Sequence, residues 1–159
     1  MIILKNVLVA TDFGPASDAA LTYGRAIAKQ FGARLHLLHV AENTFFRPTA
    51  TDPHALLAAL TRRVEDCLNA EDRIEPAARA VLEMSDEPTE AITRYARSAS
   101  VDLIVMGTHG RTGMSHLLVG SIAERVVRTA SCPVLTVRHP EHEFVLPDAA
   151  LDSQEAGLS

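Results

Sequence analysis

The stretch "VDLIVMGTHGRTGMSHLLVGSIAERV", residues 101–126, changes its pattern twice. It opens with the apolar run 101–107, whose length and β-branched residues are typical of a strand buried on both faces. After a loop that contains Gly110, the apolar residues Ile122 and Val126 recur at helical spacing. The stretch therefore predicts a strand, a glycine-containing loop and a helix, in that order.

The same alternation of strand and helix extends toward both ends of the chain. Strands are predicted over residues 3–12, 33–41, 77–83, 101–107 and 132–138, and helices over 15–31, 53–70, 85–99 and 121–130. Each parallel pair of strands needs a right-handed crossover, and the crossover helices then cover the sheet. We therefore predict a doubly wound α/β domain, a five-stranded parallel sheet with helices on both faces.

Length and composition narrow the class of protein. The 159 residues suit one domain over residues 1–140, and the aperiodic segment 141–159 is predicted to be a mobile tail. A net charge of -5 without a basic stripe argues against a nucleic-acid partner. No apolar run approaches the roughly 20 residues of a bilayer span, and no secretory pattern is present. We therefore expect no membrane contact and a cytoplasmic location.

Two predicted loops follow strands that end at one edge of the sheet. Ligands of open α/β sheets bind at this carboxyl edge, where the winding direction reverses. The loops are "ATDFGPAS" (10–17) and "GTHGRTGMSHLLVGS" (107–121). Glycine lets backbone N–H groups approach an anion, and a helix N-terminus adds about half a positive charge. Gly107, Gly110 and Gly120 can therefore cradle a polyphosphate.

Each candidate residue also has a purely structural interpretation. Gly107 and Gly110 can simply permit turn dihedrals, and Ser121 with Glu124 matches a capping box. Asp12 can accept hydrogen bonds from a ribose or a base amine, or it can cap the following helix. Thr11 offers a hydroxyl to the same place, and Val40 is either core or a surface for a flat base. The pattern alone leaves both interpretations open.

The glycine spacing resembles that of a known family. Gly107-x-x-Gly110, then nine residues and Gly120-Ser121, is similar to the G-x2-G-x9-G-(S/T) signature of the ATP-binding branch of the universal stress protein family. The segments "NVLVATDFGPASDAAL", "LHLLHV" and "CPVLTVR" extend the likeness over residues 3–138. The resemblance implies a sheet of strand order 3-2-1-4-5 that binds ATP, with Mg²⁺, at its carboxyl edge.

The resemblance also implies which residues contact the nucleotide. Arg111, at a variable position of the signature, either contacts a phosphate oxygen or is solvated. Family members commonly dimerise through the last strand, which implies a homodimer through Val134 to Val137. Carried over by position, the adenosine contacts are Ala10, Thr11 and Asp12, the adenine contact is Val40, and the ribose and phosphate contacts are Met106, Gly107, Gly110, Gly120, Ser121 and Ile122.

The predicted site holds few of the groups that ATP hydrolysis requires. Hydrolysis needs a positioned water, a base and charge stabilisation, of which Arg111 and a phosphate-held metal are the candidates. We assign no catalytic residue, because loop histidines such as His109 and His116 are more often surface residues than bases. We assign no metal ligand, because His36 and His39, three apart on a strand, face opposite sides. The sequence is interpreted as an ATP-binding sensor of the stress response, with at most slow hydrolysis and an unidentified protein partner. The alternative is a nucleotide-independent interaction module of the same fold.

Overall fold

The computed structural model describes residues 1–43, 52–108 and 120–139. Strands and helices alternate along these segments. The strands are β1 (Asn6–Ala10), β2 (Arg34–Ala41), β3 (Arg79–Met84), β4 (Leu103–Gly107) and β5 (Val134–Val137). The helices are α1 (Pro15–Phe31), α2 (Pro53–Asp66), α3 (Pro88–Ser98) and α4 (Ser121–Thr129).

The five strands form one parallel sheet of order β3-β2-β1-β4-β5, which confirms the predicted fold class and strand order. β1 is the central strand, and its residue Val7 pairs with Leu35 of β2 and Leu103 of β4. The side chains of Val7, Leu8 and Val9 are completely buried. The apolar run in the sequence therefore marks a strand covered on both faces.

Helices cover both faces of the sheet, and each face has its own core. Val9 and Leu37 pack with residues of α1 and with Val64 of α2. Leu8 and Ile104, whose side chains point the other way, pack with residues of α3 and α4. This alternation follows from the two-residue period of a strand. No helix in the described segments is long and apolar enough to span a membrane.

Two glycines let α1 lie directly on the sheet. A Cβ atom at Gly24 of α1 would overlap the Cγ2 atom of Val9. A Cβ atom at Gly107, the last residue of β4, would lie 2.8 Å from the Cβ atom of Ala16 and 3.0 Å from its carbonyl oxygen. These distances are too short for a side chain, because a packed interior cannot absorb an extra methyl group there without moving. Gly107 thus has a packing role that needs no ligand.

The end of α2 differs from the prediction. The helix stops at Asp66 rather than near residue 70, and Glu71–Arg73 forms a single 3-10 turn. The Asp72 carboxylate accepts the Asn69 N–H at 2.9 Å and pairs with Arg25 of α1 at 2.7 Å. Side-chain bonds of this kind compete with helical ones and explain the early end. The predicted tail 141–159 lies outside the described residues.

A chain of polar contacts runs from the buried His36 of β2 to α3 and β1. His36 Nδ1 lies 2.7 Å from the Tyr95 hydroxyl, and Nε2 lies 3.2 Å from Asn6 Oδ1. Asn6 Nδ2 donates to the Ser100 carbonyl, so Asn6 presents its oxygen to the ring. His36 Nε2 therefore donates, and Nδ1 accepts from Tyr95. Burial, with smaller contributions from the charges of Arg79 and Arg34, lowers the pKa of this neutral imidazole to about 4.

His36 makes the stability of the fold depend on pH. The unfolded chain takes up a proton near pH 6.5, whereas the folded chain takes it up only near the folded-state pKa of about 4. The contribution of neutral His36 is therefore fully present above pH 6.5, and about 3 kcal/mol of it is lost between pH 6.5 and 4. We expect urea unfolding at a series of pH values to show this loss in the natural protein and not in His36→Gln. The exposed His54→Gln is the matched control, and equal pH slopes for all three proteins would contradict the neutral assignment.

Candidate functional site

A cavity of about 220 Å³ lies at the carboxyl edge of the sheet. The ends of β1, β2 and β4 and the N-termini of α3 and α4 surround it. All the predicted contact residues that the structure describes line this cavity: Ala10, Thr11, Asp12, Val40, Met106, Gly107, Gly120, Ser121 and Ile122. Gly110 and Arg111 lie outside the described residues. The residues carried over from the family resemblance are thus far apart in the chain and close together in the fold.

The cavity also has lining residues that the sequence interpretation did not include. Pro88 and Ile92 come from the first turns of α3, and Leu38 and His39 come from the end of β2. Ser17, Thr108 and Ala123 complete the lining. The helical spacing marks Ile92 as a core residue, and nothing in the local sequence indicates that it also faces a cavity. Only the packing of α3 beside the end of β2 reveals it.

Asp12 is held by the start of the helix that follows it. Its Oδ1 atom accepts the Gly14 N–H at 2.9 Å and lies 2.9 Å from the Ser17 hydroxyl. The Thr11 hydroxyl donates to the Ser17 oxygen at 3.1 Å. No hydrogen bond within the described segments engages the second carboxylate oxygen, Oδ2. Asp12 therefore closes a turn immediately before α1, whose N-cap residue is Gly14, and the alternative in which Asp12 itself caps the helix is wrong. Asp12 also lines the cavity.

The N-terminus of α4 has no side-chain cap. Gly120 is the N-cap residue and makes no side-chain hydrogen bond, and Ser121 is the first helical residue. The capping box considered for Ser121 and Glu124 is therefore wrong, because Ser121 lies one position too late to act as the cap. The Gly120 N–H donates to the Thr108 carbonyl. The next N–H groups belong to the first turn, which has no intrahelical acceptors for them, and they lie at the cavity wall.

His39 fixes the backbone between β1 and Asp12. Its Nδ1 lies 2.8 Å from the Thr11 carbonyl oxygen, to which it donates. The Thr11 N–H donates to the Leu38 carbonyl at 2.9 Å, which continues the β1–β2 ladder to the edge of the cavity. His39 packs against Phe13 on one side of the sheet, whereas His36 contacts Tyr95 on the other. The two imidazoles thus face opposite sides, as their spacing predicts.

The described residues contain no group of three or more His, Cys, Asp or Glu side chains that could hold a metal ion. The cavity wall instead combines one carboxylate, hydroxyl groups and the first turn of α4 with apolar surface from Val40, Ile92 and Met106. Such a mixture suits a ligand that has a flat apolar part and a polar or anionic part.

The chain belongs to the universal stress protein family. The family model for universal stress proteins matches residues 4–138, which include every strand and helix described above. The chain is 31% identical to a universal stress protein of Methanocaldococcus jannaschii over 153 residues, an alignment that covers 87% of this chain and 85% of that protein. The family model and this relative therefore confirm the resemblance at the level of the family.

Solved structures of the family share the fold. Universal stress protein UspA from Lactobacillus plantarum has a TM-score of 0.72 at 28% identity, with 87% of this chain and 100% of that chain covered. A universal stress protein in complex with cAMP has a TM-score of 0.62 at 24% identity, with 86% and 98% covered. One from Archaeoglobus fulgidus in complex with dAMP has a TM-score of 0.58 at 22% identity, with 86% and 99% covered.

The hydrogen bond from the Gly14 N–H to Asp12 has a measurable consequence. Asp12→Ala removes this acceptor and should lower the free energy of unfolding by about 1 kcal/mol. Asp12→Asn keeps an oxygen at the Oδ1 position and should cost much less. Urea unfolding of the two variants in the absence of any nucleotide measures the difference. If both variants are as stable as the natural protein, the bond to the Gly14 N–H does not stabilise the fold.

Proposed function

We propose that this protein is a regulatory module of the stress response that binds ATP in the cavity at the carboxyl edge. The observation that carries the proposal is the meeting, in one cavity, of the Asp12 carboxylate, the uncapped first turn of α4 and an apolar wall. Two proteins of the same fold are known in complex with the adenine nucleotides cAMP and dAMP. Their likeness to this chain supports the fold alone, and the proposal of ATP binding rests on the residues of the cavity.

The adenosine is proposed to lie between β1, β2 and α3. Val40 and Ile92 offer apolar surface to the flat base. The Oδ2 atom of Asp12 can accept a hydrogen bond from a ribose hydroxyl while Oδ1 remains on the Gly14 N–H. The Thr11 backbone, held by His39, lies beside the same space.

The phosphates are proposed to lie at the N-terminus of α4. The N–H groups of Ser121 and Ile122 are at the positive end of the helix dipole, and Gly120 leaves their approach free of a Cβ atom. Gly110 and Arg111 of the signature are proposed to complete the phosphate contacts. Mg²⁺ would be held mainly by the phosphates, which is usual for nucleotide sites.

A nucleotide held in this way can report on the state of the cell to a partner protein. The cavity opens at the edge of the sheet, where the loops after β2 and β4 begin. A partner that contacts these loops would distinguish the occupied site from the empty one, because the ligand adds charge and contacts there. We also propose that the protein is located in the cytoplasm, where ATP is abundant.

The proposal is tested by identifying what the protein carries and what it binds. Freshly purified protein is denatured, the released small molecules are chromatographed, and the stripped protein is titrated with ATP and Mg²⁺ by calorimetry. Bound adenine nucleotide, or an ATP affinity in the micromolar range (about -8 kcal/mol), is expected. If neither is found, the alternative of a nucleotide-independent interaction module is favoured.

Gly120→Val should abolish ATP binding and leave the fold intact. Gly120 has φ -66° and ψ 152°, a conformation that valine readily adopts, so the backbone is not strained. The branched side chain would fill the space in front of the first turn of α4. Calorimetry and thermal unfolding measure the two effects, with Thr129→Val at the far end of the same helix as the control. Normal ATP binding by Gly120→Val would contradict the phosphate site.

We also propose a homodimer formed through β5. β5 is an edge strand. The Pro133 carbonyl accepts a hydrogen bond from Ile104 of β4, and the Val137 carbonyl accepts one from Thr108, the residue after β4. Because alternate residues of a strand point their backbone groups to opposite sides, those of Val134 and Thr136 point to the open edge. An unpaired edge of this kind is a template for a second strand.

Thr136→Pro tests this dimer. Proline removes the N–H group that points away from β4, so the variant should be monomeric while the β4–β5 ladder is retained. Thr136→Val, which keeps that N–H, is the matched control and should remain a dimer. Sedimentation equilibrium measures the mass of each protein. A monomeric natural protein, or a dimeric Thr136→Pro, would exclude the β5 interface.

A further inference from the structure

We propose that Phe13 and Arg63 are positioning residues of the nucleotide site, an inference that rests on the proposed function. The guanidinium carbon of Arg63, in α2, lies 4.1 Å from the centroid of the Phe13 ring. Phe13 follows Asp12 directly in the loop between β1 and α1. The contact therefore joins α2 to the loop that presents Asp12 to the cavity.

The backbone of Phe13 has a conformation that side chains disfavour. Its φ angle is +63°, in the left-handed region that glycine adopts most readily. Residues other than glycine remain in this region only where surrounding contacts hold them there. The Phe13 ring has such contacts, because it packs against the core under α1 and α2 and lies over the His39 ring, with centroids 4.3 Å apart.

This conformation determines where Asp12 points. With Phe13 in the left-handed region, its own N–H donates to the Thr11 hydroxyl at 3.0 Å, and the next N–H, of Gly14, donates to Asp12 Oδ1 at 2.9 Å. These two bonds fold the loop over 11–14 and orient the Asp12 carboxylate. If the loop could leave this conformation, part of the binding free energy would be used to restore it, and the apparent affinity for the nucleotide would be lower.

Arg63 is placed to hold the ring from above the loop. A guanidinium over an aromatic face is attracted by the ring quadrupole, and Arg makes this contact more often than Lys. Arg63 contacts the ring from α2, which is separated from Phe13 along the chain by α1 and β2. A movement of α2 would therefore change the contact between Arg63 and Phe13. Through this contact, α2 affects the nucleotide site although it does not touch the nucleotide.

The test separates the effects of the Phe13 ring, the Phe13 backbone conformation and the Arg63 cation on ATP affinity. ATP affinity is measured by calorimetry for Phe13→Ala, Phe13→Gly, Arg63→Ala and Arg63→Lys, and Arg62→Ala, an exposed neighbour on the same helix, is the matched control. Arg63→Ala should bind ATP more weakly, by at most about fivefold, because that is the largest change in loop population that the loss of one such contact can cause. Arg63→Lys should recover part of that loss, and Arg62→Ala should bind normally.

The Phe13 variants separate positioning from simple packing. Both lose the ring, but glycine adopts a positive φ angle without penalty, so Phe13→Gly should bind ATP more tightly than Phe13→Ala. If only packing mattered, the larger alanine would be no worse than glycine. The free energy of unfolding without nucleotide is measured in parallel, since a merely structural role would lower stability and leave affinity unchanged.

The failures of the two proposals are distinguishable. If the natural protein binds no adenine nucleotide, the proposed function is overturned and the positioning inference with it. If the natural protein binds ATP and Arg63→Ala binds as well as Arg62→Ala, only the positioning inference is overturned. Should Phe13→Ala fail to fold, the Arg63 series decides the question alone.

Discussion

The direct contact of α1 with the sheet is the constraint on which the rest of the structure depends. The contact is possible because Gly24 and Gly107 place no side chain between the helix and the strands beneath it. Gly24 lets α1 lie on β1, and Gly107 lets its first turn lie against the end of β4. The loop that carries Asp12 therefore reaches the same edge as the start of the β4–α4 loop. The cavity is the space left between them.

Some polar groups around this cavity form hydrogen bonds within the protein, and others are left for a ligand. One oxygen of Asp12 and the Ser17 hydroxyl are occupied by the start of α1. Both α1 and α4 begin at a glycine without a side-chain cap. A helix N-terminus with its own serine or aspartate cap would have one donor fewer to offer. The N-cap N–H of α1 is bonded by the Asp12 and Ser17 side chains, whereas that of α4 donates to the backbone carbonyl of Thr108.

Most of the fold could be predicted from the sequence, because strands buried on both faces appear as apolar runs such as those around Leu8 and Ile104. The strand order came from the family resemblance, since local patterns do not encode which strands are neighbours. The pattern could not decide between a cap and a ligand contact at Ser121, because S-x-x-E does not distinguish the N-cap from the first helical residue. Ile92 was missed as a lining residue because its cavity contact depends on how α3 packs, which is a long-range property.

Because Gly107 packs directly against Ala16, a glycine at this position of the signature does not by itself indicate that a protein binds a nucleotide. A relative that had lost its ligand would still need glycine at this position, since its helix would otherwise collide with the end of the strand. Natural selection would therefore preserve Gly107 both in relatives that bind the ligand and in relatives that have lost it. Gly120 has an ordinary backbone conformation, so no backbone requirement protects it against replacement. Divergence among relatives should accordingly appear first at the second half of the signature.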